Sequence, residues 1–257
     1  MKKILAIALN TCREAIRNKI LLSIALFSIV LVGVSALFGS VSVGDQVKVI
    51  KDFGLFSISF LGALSAIFGG VNLLNNEVKR KTIYNILSKP VARWQFVLGK
   101  FIGLSLTTSI LVALMGLSLI VFLFVVEGRI DMLIFEAIAF ALLECIIIAA
   151  ITIFFSCMVV TTTLTGFFSF GFYLGGRSID YLQYFISQKE TPWLFKSLIR
   201  IFDNILPELS MFNVADKIVD GTALSSSHFL AAIAYCFFYS LTAVLLACLV
   251  FEKRELT

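Results

Sequence analysis

Apolar residues run along this chain in long blocks, the fourth of which contains Glu136 and Glu144, and most of the charged residues are gathered between them. A helix needs about 20 mostly apolar residues to cross the ~30 Å hydrocarbon layer of a bilayer. The blocks at 20–38, 53–74, 96–126, 133–155, 162–176 and 229–251 meet or approach that length. The pattern therefore predicts an all-α integral membrane protein with six transmembrane helices, built as a single transmembrane domain over 1–257. The fourth and fifth blocks are the least clearly divided. Nothing charged lies between Glu144 and Arg177, a stretch too long for one helix and suited to two joined by a tight turn. We place that turn near Ser156–Thr161.

Residues 1–19 carry a different pattern. Asn10, Arg13, Glu14, Arg17 and Asn18 recur at spacings of three and four, while Ile4, Leu5, Ala8, Cys12, Ala15 and Ile16 mark the opposite side. This is an amphipathic helix suited to the membrane interface, and its long polar face does not suit a cleaved leader. Two further non-membrane regions are expected, a loop at 75–95 and a longer amphipathic segment at 177–228.

Orientation follows from lysine and arginine. On one side lie Lys2, Lys3, Arg13, Arg17 and Lys19, then Lys79, Arg80, Lys81, Lys89, Arg93 and Lys100, then Lys253 and Arg254. Only Glu14, Glu77, Glu252 and Glu255 accompany them. The opposite side is richer in acids than in bases. Both termini are thus expected in the cytoplasm, which agrees with an even number of spans.

Composition narrows the class. The chain is 60% hydrophobic and 14% charged, with a mean hydropathy of +1.01, which excludes an ordinary soluble domain and a disordered one. The net charge of +5 reads as a topology signal, and no nucleic-acid partner is expected. The five cysteines sit in or beside apolar blocks, so free thiols are expected. A single histidine, His228, argues against a histidine metal site and against a clustered catalytic centre; it reads as an interfacial residue.

Chemistry is concentrated in two places. The loop reads Asn76-Glu77-Val78-Lys79-Arg80-Lys81-Thr82-Ile83-Tyr84-Asn85-Ile86-Leu87-Ser88-Lys89-Pro90. Glu77 and Lys81 stand four apart in the order that favours a helix. Ile83, Ile86 and Leu87 form an apolar stripe, and Pro90 stops the helix. The reading is a short helix held off the cytoplasmic face, either a docking element or a solvated loop whose charges set topology.

The second place is the membrane interior. Glu144 lies 11 residues into the fourth block, about 17 Å at ~1.5 Å per residue. A carboxylate there must avoid lipid, find a polar partner or stay protonated. It either belongs to a translocation path or subunit interface, or is satisfied by a hydroxyl such as that of Thr107, Thr108 or Thr163. Glu136 is close enough to the outer surface to reach headgroups. Outside the membrane, Thr191-Pro192 marks a helix start, followed by Leu194, Leu198, Ile201, Phe202 and Ile205 at helical spacing. Val214 to Asp220 reads as a further short helix ended by Gly221. The segment reads as an outer cap, or as a gate or docking site for an external accessory protein. Phe167, Phe168, Phe170, Phe172 and Tyr173 crowd the fifth block and suit a cavity or a dimer seam.

The run Glu77, Thr82-Ile83, Leu87, Pro90-Val91, Arg93, Val97, Gly99 and Lys100 resembles the cytoplasmic loop of permease subunits of ABC-2 type ATP-binding-cassette exporters. Leu206-Pro207-Glu208-Leu209 with Phe212-Asn213 and Asp216 is similar to the stretch those permeases carry before their last span. The likeness covers the whole chain, and departs from the commoner pattern at the turn between the fourth and fifth spans, which lacks charged and prolyl residues. The resemblance implies a transport subunit without catalytic residues, working in a plasma membrane, the bacterial inner membrane by this likeness. ATP and Mg would be held by a separate cytoplasmic ATPase in two copies, docked through Glu77, Thr82, Ile83, Ile86 and Leu87. A second permease copy and membrane lipids would complete the transporter. The sequence agrees in having no Gly-x-x-x-x-Gly-Lys-Ser/Thr loop. Two rivals are a secondary transporter coupled to ions through Glu144 and an integral membrane enzyme.

Overall fold

A computed structural model of the chain describes residues 2–17, 19–41, 46–79, 92–129, 131–159, 161–181, 205–219 and 225–253. The regular elements are α1 (Lys2–Ile16), α2 (Lys19–Val41), α3 (Gln46–Lys79), α4 (Arg93–Glu127), α5 (Met132–Met158), α6 (Thr162–Arg177), a 3-10 turn at Ser210–Phe212, α7 (Ala215–Val219) and α8 (Ser226–Lys253). No strand occurs among the described residues, as the block pattern leads one to expect.

Gln46–Val71, Arg93–Glu127, Met132–Met158 and Ser226–Lys253 are each long and apolar enough to cross a membrane. Helices α1 and α2, bent by 60° to one another, would together make a fifth span. The fifth of the six expected spans, α6, has 16 residues, or about 24 Å of helix, and falls short of the ~30 Å criterion. By length and composition the structure thus gives four or five candidate spans where the block pattern gives six. Helix α3 is much longer than the block at 53–74, because Gln46 to Asp52 and Asn75 to Lys79 continue the same helix through polar residues, so the loop expected at 75–95 begins after Lys79.

Helix α5 is the centre of the bundle. Its residues 147–153 are buried on every side, the pattern of a helix surrounded by others. It packs most extensively on α3 and α8. The approach of α3 is close because small residues line it: a Cβ on Gly62 would meet Cys145 Sγ and Val112, each at 2.9 Å, and one on Gly70 would meet Thr152. Thr107 and Thr108, expected as hydroxyl partners across helices, instead serve their own helix, as does Thr152. Thr107 donates to the Gly103 carbonyl at 2.8 Å, Thr108 to that of Leu104 at 3.1 Å and Thr152 to that of Ile148 at 2.7 Å. All five cysteines are free thiols, four of them buried.

The ends of the helices are tied by charged residues. Gly128 takes a left-handed conformation (φ 70°) and closes α4, donating its N–H to the Phe124 carbonyl at 2.9 Å. Asp131 then caps α5 by accepting from Leu133 N–H at 3.0 Å, and Lys51 of α3 donates to its other oxygen at 2.8 Å. At the opposite end, Arg93 Nη1 donates to the carbonyls of Phe251 (3.3 Å) and Glu252 (2.9 Å), and Phe96 stacks on Phe251. The first turn of α4 thus satisfies carbonyls in the last turn of α8 that have no partner in their own helix.

Partial burial raises the pKa of Asp131. The hydrogen bonds from Lys51 and from Leu133 N–H, with the charge on Lys51, outweigh that and hold it below its ordinary value of 3.8. A carboxylate with a depressed folded-state pKa contributes stability above its unfolded pKa and loses it as pH falls through the folded value. Asp131→Ala is therefore expected to cost about 1 kcal/mol through the lost cap. The difference from wild type should hold between pH 5 and 8 and shrink only below about pH 4. Reversible unfolding in mixed detergent micelles across that range measures both.

Candidate functional site

Glu144 is buried in the middle of α5, and its partners come from two other helices. Ser59 of α3 donates its hydroxyl to Glu144 Oε2. Arg177, the last residue of α6, places Nη1 at 3.9 Å from Glu144 Oε1. That oxygen accepts no hydrogen bond among the described residues. The guanidinium is shared further: Nη1 donates to Tyr173 Oη at 2.7 Å and to Ser59 Oγ at 3.0 Å, and Nη2 to Asn213 Oδ1 at 3.3 Å. Arg177 also lies over the Tyr173 ring, 5.9 Å from its centre. The network joins α3, α5, α6 and the segment before α8.

That segment is seated by a close backbone approach. Leu209 N–H donates to the Gly176 carbonyl at 3.1 Å, and a Cβ on Gly176 would collide with the carbonyl of Pro207. Leu209 and Phe212 are buried, and Phe212 meets Phe140 of α5 edge-on. Glu208 N–H donates to Tyr235 Oη of α8 at 2.8 Å. His228, at the start of α8, sets Nε2 3.2 Å from the Met211 carbonyl and lies against Phe140. The Leu206-Pro207-Glu208-Leu209 stretch thus fixes Asn213 over Arg177. The short helix expected from Val214 is present as α7, whereas the helix start at Thr191-Pro192 lies outside the described residues.

Above the network is a cavity of about 410 Å³, lined by Asp52, Phe56, Ser59, Leu174, Arg177, Tyr181, Phe212 and Asn213 among others. A second cavity of about 540 Å³ lies between the other ends of α3 and α6, where Leu64, Ile67, Phe68, Val71 and Phe170 leave only Thr162 and Thr163 as side-chain hydroxyls. Tyr173, in contact with Phe60 and Phe170, sits between these levels. Of the crowded aromatics of α6, Phe168 and Phe172 pack on Phe155 of α5 and Phe167 is exposed. Among the described residues no group of His, Cys, Asp and Glu is placed to hold a metal ion.

The candidate residues therefore separate. Ser59, and neither Thr107 nor Thr163, supplies the hydroxyl to Glu144. Thr107 is buried in α4, and Thr163 is exposed at the second cavity. Glu77 falls in the last turn of α3, with its side chain outside the described residues, as are Thr82, Ile83, Ile86 and Leu87. Sequence reasoning missed Arg177, which counted only as a charge outside the membrane. The signal was present in the spacing. Glu144 lies 14 residues before Met158 and Arg177 lies 15 after Thr162, so two antiparallel helices bring both to about 21–23 Å from their shared turn.

The family model described as ABC-2 family transporter protein matches residues 5–256. The chain belongs to that family. It is a membrane component of a transporter, as the resemblance implied. A comparison with curated proteins gives no match.

Proposed function

We propose that this chain is the permease subunit of an ATP-driven exporter, in which two permeases are worked by two copies of a separate cytoplasmic ATPase. The observation that carries this reading is the family match over almost the whole chain. The same match supports it over ion coupling through Glu144. In the proposed topology α1 lies at the cytoplasmic interface, α2 to α5 and α8 cross the plasma membrane of a bacterium, α6 enters as the short fifth span and ends at the depth of Glu144, and both termini are cytoplasmic. The basic residues at the joined ends of α4 and α8 support that orientation.

The ATPase docks on the loop that follows α3, through Glu77, Thr82, Ile83, Ile86 and Leu87. Closure of its dimer around ATP moves that loop, and with it α3 and α4, between inward- and outward-facing arrangements. Cargo passes along the seam of α3 and α6, from the cavity at Thr163 to the one above Arg177. In this reading the Glu144–Arg177 network is the closed gate of that seam. Thr107, with its hydroxyl on its own helix, serves packing.

The test is a pull-down of the co-expressed ATPase by the tagged chain, wild type beside Thr82→Asp/Leu87→Asp. Two carboxylates in an apolar docking stripe are expected to reduce ATPase recovery at least tenfold, about 1.4 kcal/mol, and to leave permease association intact. Equal recovery by both would move the docking contact off this loop. No ATPase with either would overturn the proposal.

A further inference from the structure

Helix α1 is divided into three sectors, and only one of them is used by the protein. Ala8, Thr11, Cys12 and Ala15 are buried on the side that meets α4 at Gly99 and Gly103, where added Cβ atoms would touch Ile7, the Ala8 carbonyl and Thr11. At ~100° per residue, Leu5, Leu9 and Ile16 fall within an arc of about 40° next to that face. They are 62%, 49% and 46% exposed. Arg13 and Arg17 occupy the next arc of about 40° to 80° beyond Leu9 and are also exposed. No carboxylate among the described residues pairs with either arginine. Glu14, the one acid of α1, lies further round and within 4.0 Å of the buried Lys100 ammonium.

An apolar stripe flanked by a basic one, on a helix pinned beside the basic end of a membrane bundle, is the arrangement that enters a lipid interface with its arginines at headgroup phosphates. We propose that the outer flank of α1 is a binding surface for anionic lipid headgroups, with Leu5, Leu9 and Ile16 among the acyl chains and Arg13 and Arg17 on the phosphates. The charge sector selects the partner, since the apolar stripe alone would accept any lipid. The inference needs only that the chain lies in a membrane, and not that an ATPase drives it.

The experiment compares the full chain in nanodiscs or mild detergent with phosphatidylglycerol or phosphatidylcholine, reading retained lipid by native mass spectrometry. Wild type is expected to retain phosphatidylglycerol in preference. Arg13→Gln/Arg17→Gln should reduce that preference by up to about 25-fold, roughly fivefold per arginine. Lys253→Gln, which removes one positive charge at the same end of the bundle, should leave it unchanged. Leu9→Gln should weaken retention of both lipids. Equal thermal stability of all variants in phosphatidylcholine micelles shows that they are folded. The proposal is overturned if wild type shows no preference, or if the double variant keeps it.

Discussion

Replacing Arg177 by alanine is expected to cost about 3–5 kcal/mol, the range for removing one partner of a buried ion pair. Glu144 would be left in the bundle core with only the Ser59 hydroxyl, while Tyr173 and Asn213 would lose their shared donor. The asymmetry of the pair makes the prediction specific. The Glu144 side chain is 1% exposed and that of Arg177 19%, so an orphaned guanidinium can still reach the cavity and an orphaned carboxylate cannot. Glu144→Gln should therefore cost far less, keep assembly and change the ATPase response of the reconstituted transporter. The double variant Arg177→Ala/Glu144→Gln should be more stable than Arg177→Ala alone, because no unpaired charge remains. Thermal unfolding of the four forms in one detergent closes the cycle. Additive losses would show that the pair is not coupled, and a wild-type ATPase response from Glu144→Gln would remove the site from the transport path.

The second large effect concerns the seat of α1. Gly99 and Gly103 stand four apart on α4 and admit the backbone of α1. A Cβ on Gly103 would lie 2.6 Å from the Ala8 carbonyl oxygen and 2.6 Å from Thr11 Cβ. A backbone carbonyl inside a helix cannot step aside, so Gly103→Leu should push α1 off its seat at about 3 kcal/mol, the upper end of overpacking costs. It should also expose Lys100, whose side chain is 2% exposed and lies over the Phe96 ring. Gly33→Ala is the control of opposite sign. Nothing lies within 4 Å of a Cβ there, and the change should be neutral or stabilise α2 by up to about 1 kcal/mol. Protease accessibility of the N-terminal segment and melting temperature report both variants.

The helices were legible because membrane spans are written as uncharged length. The turn between α5 and α6 was legible too. It carries no proline or glycine, but a run without charge cannot exceed one bilayer crossing. The short α6 and the long α3 were harder to read, since hydropathy gives the apolar stretch and not where the hydrogen-bonded helix stops. Glu144 was conspicuous as a carboxylate in hydrocarbon, and its partners were not. Pairing a mid-span residue with one at a helix end requires knowing that α5 and α6 run antiparallel at equal depth. Threonines drew attention as hydroxyl donors, yet a threonine inside a helix reaches the carbonyl four residues back, and a serine on α3 took the role instead. Gly99 of α4 was read only as part of a family pattern and Gly103 was not singled out, and the physical reason for both appears only when α1 lies across them.

The measurement that bears most directly on the transport account is the composition of the complex taken from its native membrane. The tagged chain, purified in mild detergent without added partners, would be weighed intact by native mass spectrometry and assayed for vanadate-sensitive ATP hydrolysis. The account predicts two copies of this chain with two of an ATPase, and hydrolysis that depends on the loop from Glu77 to Leu87. A chain that purifies alone, and that moves solute in liposomes under an ion gradient without ATP, would contradict it.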